Sequence, residues 1–256
     1  MSQRDPAGHD EIFVMNADGT SQTNVTNNPA YDWRLDWSPD GSRIAFQTYR
    51  DDSWEIYVME ADGTGQTNLT NNSDSNAHPA WSPDGTRIAF YGQTGKDIYV
   101  MNADGTGQVN LTNNPGTDTE PAWSPDGTRI AFVSERDGNS EIYVMNADGT
   151  DQTNLTNSTG TNSSDYAPDW SPDGTRIAFQ NSNEIFVMNT DGTGLTNLTN
   201  HNGGDYRPVW SPDGAHIAFV SGRDGNEEIY VMNADGTGQT NLTNNPGTDT
   251  EPAWGP

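Results

Sequence analysis

Between Trp123 and Thr156 the chain reads WSPDGTRIAFVSERDGNSEIYVMNADGTDQTNLT, and across this stretch β-compatible runs alternate with polar turn signals. Pro121-Ala122-Trp123-Ser124 is followed by Pro125-Asp126-Gly127, where Pro presets φ and Gly accepts a positive φ. Arg129-Ile130-Ala131-Phe132-Val133 is closed by Asp137-Gly138-Asn139, and Glu141-Ile142-Tyr143-Val144-Met145 by Ala147-Asp148-Gly149. A fourth run, Gln152-Thr153-Asn154-Leu155-Thr156, is thin and polar. Short runs joined by tight turns predict four antiparallel strands. The second and third are continuously apolar, as expected of strands covered on both faces. The fourth suits an outer edge, where polar residues discourage pairing with other chains.

This unit repeats along the whole chain. WSPDG begins at Trp37, Trp81, Trp123, Trp170 and Trp210, with a shortened copy at Trp254-Gly255-Pro256, so the tryptophans are 44, 42, 47, 40 and 44 residues apart. A second marker, I-(Y/F)-V-M-x-x-D-G-T, begins at Ile12, Ile56, Ile98, Ile142, Ile185 and Ile229. A period of about 40–45 residues is that of a propeller blade. The expectation is an all-β fold, a six-bladed β-propeller of four-stranded antiparallel blades occupying residues 1–256 as one domain. The recurring Trp is read as a wedge between blades rather than a ligand contact.

The ends enter the repeat part-way through. Ser2-Gln3-Arg4-Asp5 aligns with Ser134-Glu135-Arg136-Asp137, so the chain is expected to start just before a third strand, while 248–256 supplies a first strand. Together they predict a composite blade that clasps the ring shut. On this alignment that blade lacks a counterpart of Asp126 to Val133, which predicts unpaired edges and an apolar hole. The ring is expected to be monomeric, with dimerisation through the incomplete blade as the alternative.

Composition narrows the chemistry. Hydrophobic residues make up 30%, enough only if one modest sandwich is reused at every blade interface. Cysteine is absent, which excludes disulfides and thiolate metal sites. The net charge of −26 argues against binding a phosphate backbone and favours cationic partners or divalent cations. No nucleophile elbow, H-E-x-x-H or P-loop is present, and His9, His78, His201 and His216 occupy unrelated repeat positions. The expectation is no enzyme and no catalytic residue.

The pattern x-P-x-W-S-P-D-G-x-x-I-A-F, followed by I-Y-V-M-N-A-D-G-T and an L-T, resembles the WD-like propeller repeat of the TolB family over essentially the whole chain. The resemblance implies a six-bladed propeller and a periplasmic or secreted scaffold that binds a protein through its loop face. The family's α/β N-terminal domain has no counterpart in these residues.

Function is sought where the copies disagree. The SPDG and ADG hairpins share one face and barely vary. The fourth-to-first and second-to-third connections share the other and vary in length and composition, as binding loops do. Three positions before each Trp stand Arg34, His78, Glu120, Ala167, Arg207 and Glu251, and one step further back are Trp33, Tyr166 and Tyr206. The candidate protein or peptide contacts are therefore Trp33, Arg34, His78, Glu120, Tyr166, Tyr206, Arg207 and Glu251, near the channel mouth. One more step back lie Asp32, Asp118, Asp165, Asp205 and Asp249, with Asn76 in the sixth copy. A ring of carboxylates suits a hydrated Ca²⁺, since hard cations prefer oxygen; the plainer alternative is that each Asp caps its own loop. Two readings follow. The first is a noncatalytic scaffold that requires no cofactor and binds a protein or peptide. The alternative is a Ca²⁺-binding structural propeller, or a designed or recently amplified repeat with no evolved ligand. The segments 102–123 and 233–254, which differ only at Val109 and Thr240, favour recent amplification or design.

Overall fold

A computed structural model describes residues 1–4, 8–158 and 164–256. Its strands form six four-stranded antiparallel sheets arranged as successive blades, and among the described residues there is no helix. Blades 1 to 5 span 32–68, 76–110, 118–154, 165–197 and 205–241. Blade 3 is representative: Asp118–Trp123 lines the channel, Arg129–Ser134 and Glu141–Asn146 form the middle, and Thr153–Asn154 is the outer edge.

The core lies between blades. Trp81 packs against Ala45, Ile56 and Val58 of blade 1 and against Ile88, Phe90 and Met101 of its own blade. The Arg that opens a second strand stacks on the next blade's Trp, with Arg87 4.5 Å from the centre of Trp123 and Arg129 4.7 Å from that of Trp170. The ADG turn seats each blade on its predecessor: Gly63 has φ +87°, and a Cβ there would sit 2.1 Å from the carbonyl oxygen of Val25.

Most of the acidic charge is local scaffolding. Asp126 Oδ1 accepts bonds from Ser124 Oγ (2.6 Å), Thr128 N (3.0 Å) and Thr128 Oγ1 (2.8 Å), which holds its carboxyl down at about 2. The acid opening each third strand pins the outer edge. Thr156 Oγ1 donates to Glu141 Oε2 (2.6 Å) and accepts from Ile142 N (3.1 Å), so the L-T pair is a latch. The asparagine two residues before the edge Thr serves the same edge, as where Asn68 Oδ1 accepts from Thr70 N and Asn71 N.

The closing blade corrects the sequence reading. Ser2–Arg4 is itself the second strand, paired to Asp10–Val14 on one side and to Asp249–Thr250 on the other. Ser2 pairs with Ile12 and Thr250, the place Val133 holds between Ile142 and Thr119, so the expected alignment was one residue out. Met1 stands where Phe132 stands and is buried. Asp5 of the aligned motif lies outside the described residues. The sheet order is first strand from the C-terminal end and the other three from the N-terminal end, which closes the ring as expected.

Candidate functional site

In blades 1 to 5 the channel-lining strand carries a bulge in mid-strand. In blade 1 the pairing skips from Trp33↔Gln47 to Asp36↔Ala45, so Arg34 and Leu35 oppose the single residue Phe46. Arg34, His78, Glu120, Ala167, Arg207 and Glu251 all take the left-handed conformation, with φ between 50° and 55°. In five blades the next residue is Pro, which has no N–H to leave unpaired at the break. The bulge brings these side chains together at the channel axis.

There they form a connected plug. Arg34 Nη1 donates to Glu120 Oε1 across an intervening blade (2.9 Å), and Arg34 Nε lies 3.5 Å from Glu251 Oε1. Arg207 Nη1 donates to Glu251 Oε2 (2.9 Å). Glu120 Oε2 accepts from Ala167 N (2.7 Å), and His78 Nδ1 accepts from Glu120 N (3.2 Å). Burial raises the Glu120 carboxyl, but Arg34, Arg207 and the bond from Ala167 N outweigh it and hold it at about 2. Burial, with Arg34 beside it, pushes His78 well below its ordinary range, so the imidazole is neutral. Burial also lowers Arg207. Two arginines and two glutamates thus balance within a network in which each charge has a partner.

The plug separates two cavities. On the variable-loop side a funnel of about 590 Å³ has Arg34, Glu120, Arg207 and Glu251 as its floor and Trp33, Tyr166, Tyr206 and Gln180 on its wall. Trp33 stacks on Trp54 with ring centres 6.0 Å apart, and Tyr49 meets Trp54 edge-on at 5.4 Å. Tyr166 reaches Ser140 through hydroxyls 3.2 Å apart. His78 lies at the plug against Tyr91 (6.3 Å) and does not line the funnel. The other seven predicted contacts are all brought to it.

On the hairpin side a cavity of about 290 Å³ contains Asp36 and Asp169, two carboxylates that sequence reasoning missed. They occupy the place held by Ala80, Ala122, Val209 and Ala253 in the other blades, immediately before the Trp. Asp36 Oδ2 accepts from Trp81 N and Asp169 Oδ2 from Trp210 N, both at 2.6 Å. Burial raises them to about 6 and about 7 respectively, and Asp36 adds to the rise at Asp169. Their signal in the sequence was a polar residue at an otherwise apolar inner-strand position.

The predicted Asp ring does not converge on the axis. Asp32, Asp118 and Asp205 are fully buried within their blades and ion-paired to Arg50 (3.0 Å), Arg136 (3.2 Å) and Arg223 (3.0 Å). Each of these arginines also donates to a Gln of the outer edge, as Arg50 does to Gln66 Oε1 (2.7 Å). Asp165 accepts from Asn181 Nδ2 (2.5 Å). Asp249 accepts from Asn245 Nδ2 (2.5 Å), and burial raises it to about 6. Among the described residues no group of three or more His, Asp or Glu is disposed to hold a metal ion. Millimolar Ca²⁺ is therefore expected to leave the thermal midpoint unchanged; a rise with Ca²⁺ concentration would restore the cation reading.

These features define a class: a six-bladed propeller with a plugged channel and an aromatic funnel on its variable face. The chain belongs to the TolB β-propeller domain family, whose pattern matches residues 2–97, 64–181 and 166–256. It is similar in structure to TolB from Acinetobacter baumannii, with 25% identity and a TM-score of 0.85 over 100% of this chain and 65% of that one. It is also similar to a putative TolB from Agrobacterium tumefaciens, with 25% identity and a TM-score of 0.79 over 91% of this chain and 87% of that one. The chain thus spans about two-thirds of the Acinetobacter protein's length. An oligogalacturonate lyase in complex with manganese shares the fold at 16% identity, with a TM-score of 0.64 over 91% of this chain and 72% of that one. No curated protein matches the sequence.

Proposed function

We propose that the chain is a noncatalytic scaffold of the periplasmic or secreted space that binds a protein partner in the funnel of its variable-loop face. The observation that carries this reading is the funnel itself, about 590 Å³ with a charge-paired floor and Trp33, Tyr166 and Tyr206 on its wall. Aromatic side chains over arginines are the composition of binding hot spots, because they offer large contact areas at little entropic cost. The plug chemistry argues against catalysis at the same place. Glu120 is held ionised and His78 neutral, with its Nδ1 already accepting a bond, so neither is poised to exchange a proton near pH 7. The similarity to TolB structures supports the scaffold reading.

A displayed library of extended peptides selected on the folded chain tests the site. Trp33→Ala and Tyr206→Ala are each expected to weaken selected binders by about tenfold or more, with the thermal midpoint nearly unchanged. Undiminished binding in both variants would reject the funnel.

A further inference from the structure

At five seams between blades the same backbone bond recurs. The residue just before the acid of a third strand offers its carbonyl to the N–H that opens the next blade's first strand. Trp54 O accepts from Asn76 N (2.7 Å), and Lys96 O, Ser140 O, Asn183 O and Glu227 O accept from Asp118 N, Asp165 N, Asp205 N and Asp249 N (each 2.8 Å). The backbone at this position is therefore fixed. Its side chain is not, for the six copies carry six different residues: Asp10, Trp54, Lys96, Ser140, Asn183 and Glu227. A position whose main chain the fold needs and whose side chain it leaves open is free to serve recognition.

Two of the six, Asp10 and Glu227, line the funnel, and both are acids. Asp10 is matched, since Arg4 Nε and Nη2 donate to its two oxygens at 3.2 and 3.3 Å. On the floor Arg34 holds Glu120 and Arg207 holds Glu251. Four carboxylates and three arginines thus line the funnel, and Glu227 is the one left over. Among the described residues its side chain makes no hydrogen bond or ion pair. Its charge is felt by Arg4 and by Arg207, which sets it between the rim and the floor. In ring order it stands at the join of blades 5 and 6, with Tyr166 and Tyr206 on one side and Trp33, beyond Asp10, on the other.

We infer that the funnel, taken as the partner's site, receives an extended peptide that sets one arginine against Glu227 and an apolar side chain on either side of it, toward Tyr206 and toward Trp33. A guanidinium is the fitting cation, because it meets a carboxylate through two parallel N–H bonds and stacks flat on an aromatic ring, which a lysine ammonium does not. One arginine is enough, since a second would meet only carboxylates already held. An acidic side chain would find both floor arginines bonded and Glu227 opposing it. The net charge of −26 draws a cationic segment in from a distance, and Glu227 then selects which of its residues enters.

A displayed library of random extended peptides, selected in parallel on the parent, on Glu227→Arg and on Asp74→Asn, tests this. Asp74 is an acid of the variable face outside the funnel, so its loss changes the overall charge but not the site. The parent and Asp74→Asn are expected to yield an arginine between two apolar residues, and Glu227→Arg an acid in its place. In a synthetic binder from the parent selection, citrulline for arginine keeps the shape and removes the charge. Fluorescence anisotropy should show about tenfold weaker binding to the parent and almost no change on Glu227→Gln, whose thermal midpoint should match the parent's. Binders that depend on Trp33 and Tyr206 but carry no base overturn the inference and leave the funnel standing as the site. So does an equal citrulline loss on Glu227→Gln, or the same peptides emerging from Glu227→Arg as from the parent. Failure to select any binder, or binders indifferent to Trp33→Ala and Tyr206→Ala, overturns both.

Discussion

Replacing Asp36 and Asp169 together by Asn is expected to stabilise the ring by on the order of 3 kcal/mol at pH 8, and to change almost nothing at pH 4. Both carboxyls are raised in the folded state, to about 6 and about 7, above the ordinary 3.8. A raised folded value contributes stability that is fully present below 3.8 and lost as pH rises through 6 to 7, because the folded state must then hold two desolvated charges. At about 1.4 kcal/mol per pKa unit the two shifts alone would amount to roughly 7 kcal/mol. Channel water and the coupling between the two acids reduce this to the smaller figure. Asn keeps an oxygen to accept Trp81 N and Trp210 N, and four blades manage with Ala or Val at this position. Urea unfolding of parent and double variant at pH 4, 6 and 8 reads the difference directly. Equal gains at all three values would mean that the carboxylates carry no strain.

Glu120→Ala is expected to have an effect of similar size and opposite sign, a loss of about 3–5 kcal/mol, the usual cost of removing one partner from a buried pair. Arg34 would lose its 2.9 Å bond and Ala167 N its acceptor, leaving Arg34 with Glu251 at 3.5 Å. Glu120→Gln separates the contributions, since the amide still accepts from Ala167 N but carries no charge against Arg34. Its loss should be clearly smaller than that of Glu120→Ala. Equal losses in urea unfolding would mean that charge pairing across the channel contributes little.

The fold was legible because the copies state nearly the same local chemistry: Ser-Pro-Asp-Gly and Asp-Gly-Thr turns, two apolar runs and an edge that is Leu-Thr in five copies and Val-Thr in the first. The closing strand was harder to place. Ser2–Arg4 is three residues long with no apolar run of its own, so only the ladder to Ile12 and Thr250 fixes its register. At the site, repeat alignment put Arg34, Glu251 and Arg207 in neighbouring blades correctly. It could not show Arg34 reaching Glu120 past blade 2, which depends on left-handed bulges turning the side chains inward. The Asp ring misled because alignment gives a position around the ring but not a distance from its axis. Arg50, Arg136 and Arg223 each follow Asp32, Asp118 and Asp205 by 18 residues, a constant spacing that alignment on the Trp alone did not use. Asp36 and Asp169 were hidden by standing beside the Trp that dominates the motif.

The central claim is that the variable-loop funnel, not the uniform hairpin face, is the surface a partner uses. The most direct measurement is hydrogen–deuterium exchange of the chain alone and saturated with a selected peptide. The account predicts slowed exchange around Trp33, Tyr166, Tyr206 and the loop leading to Glu228, with the Ser-Pro-Asp-Gly hairpins at 38–41 and 124–127 unchanged. Slowing confined to those hairpins would contradict it.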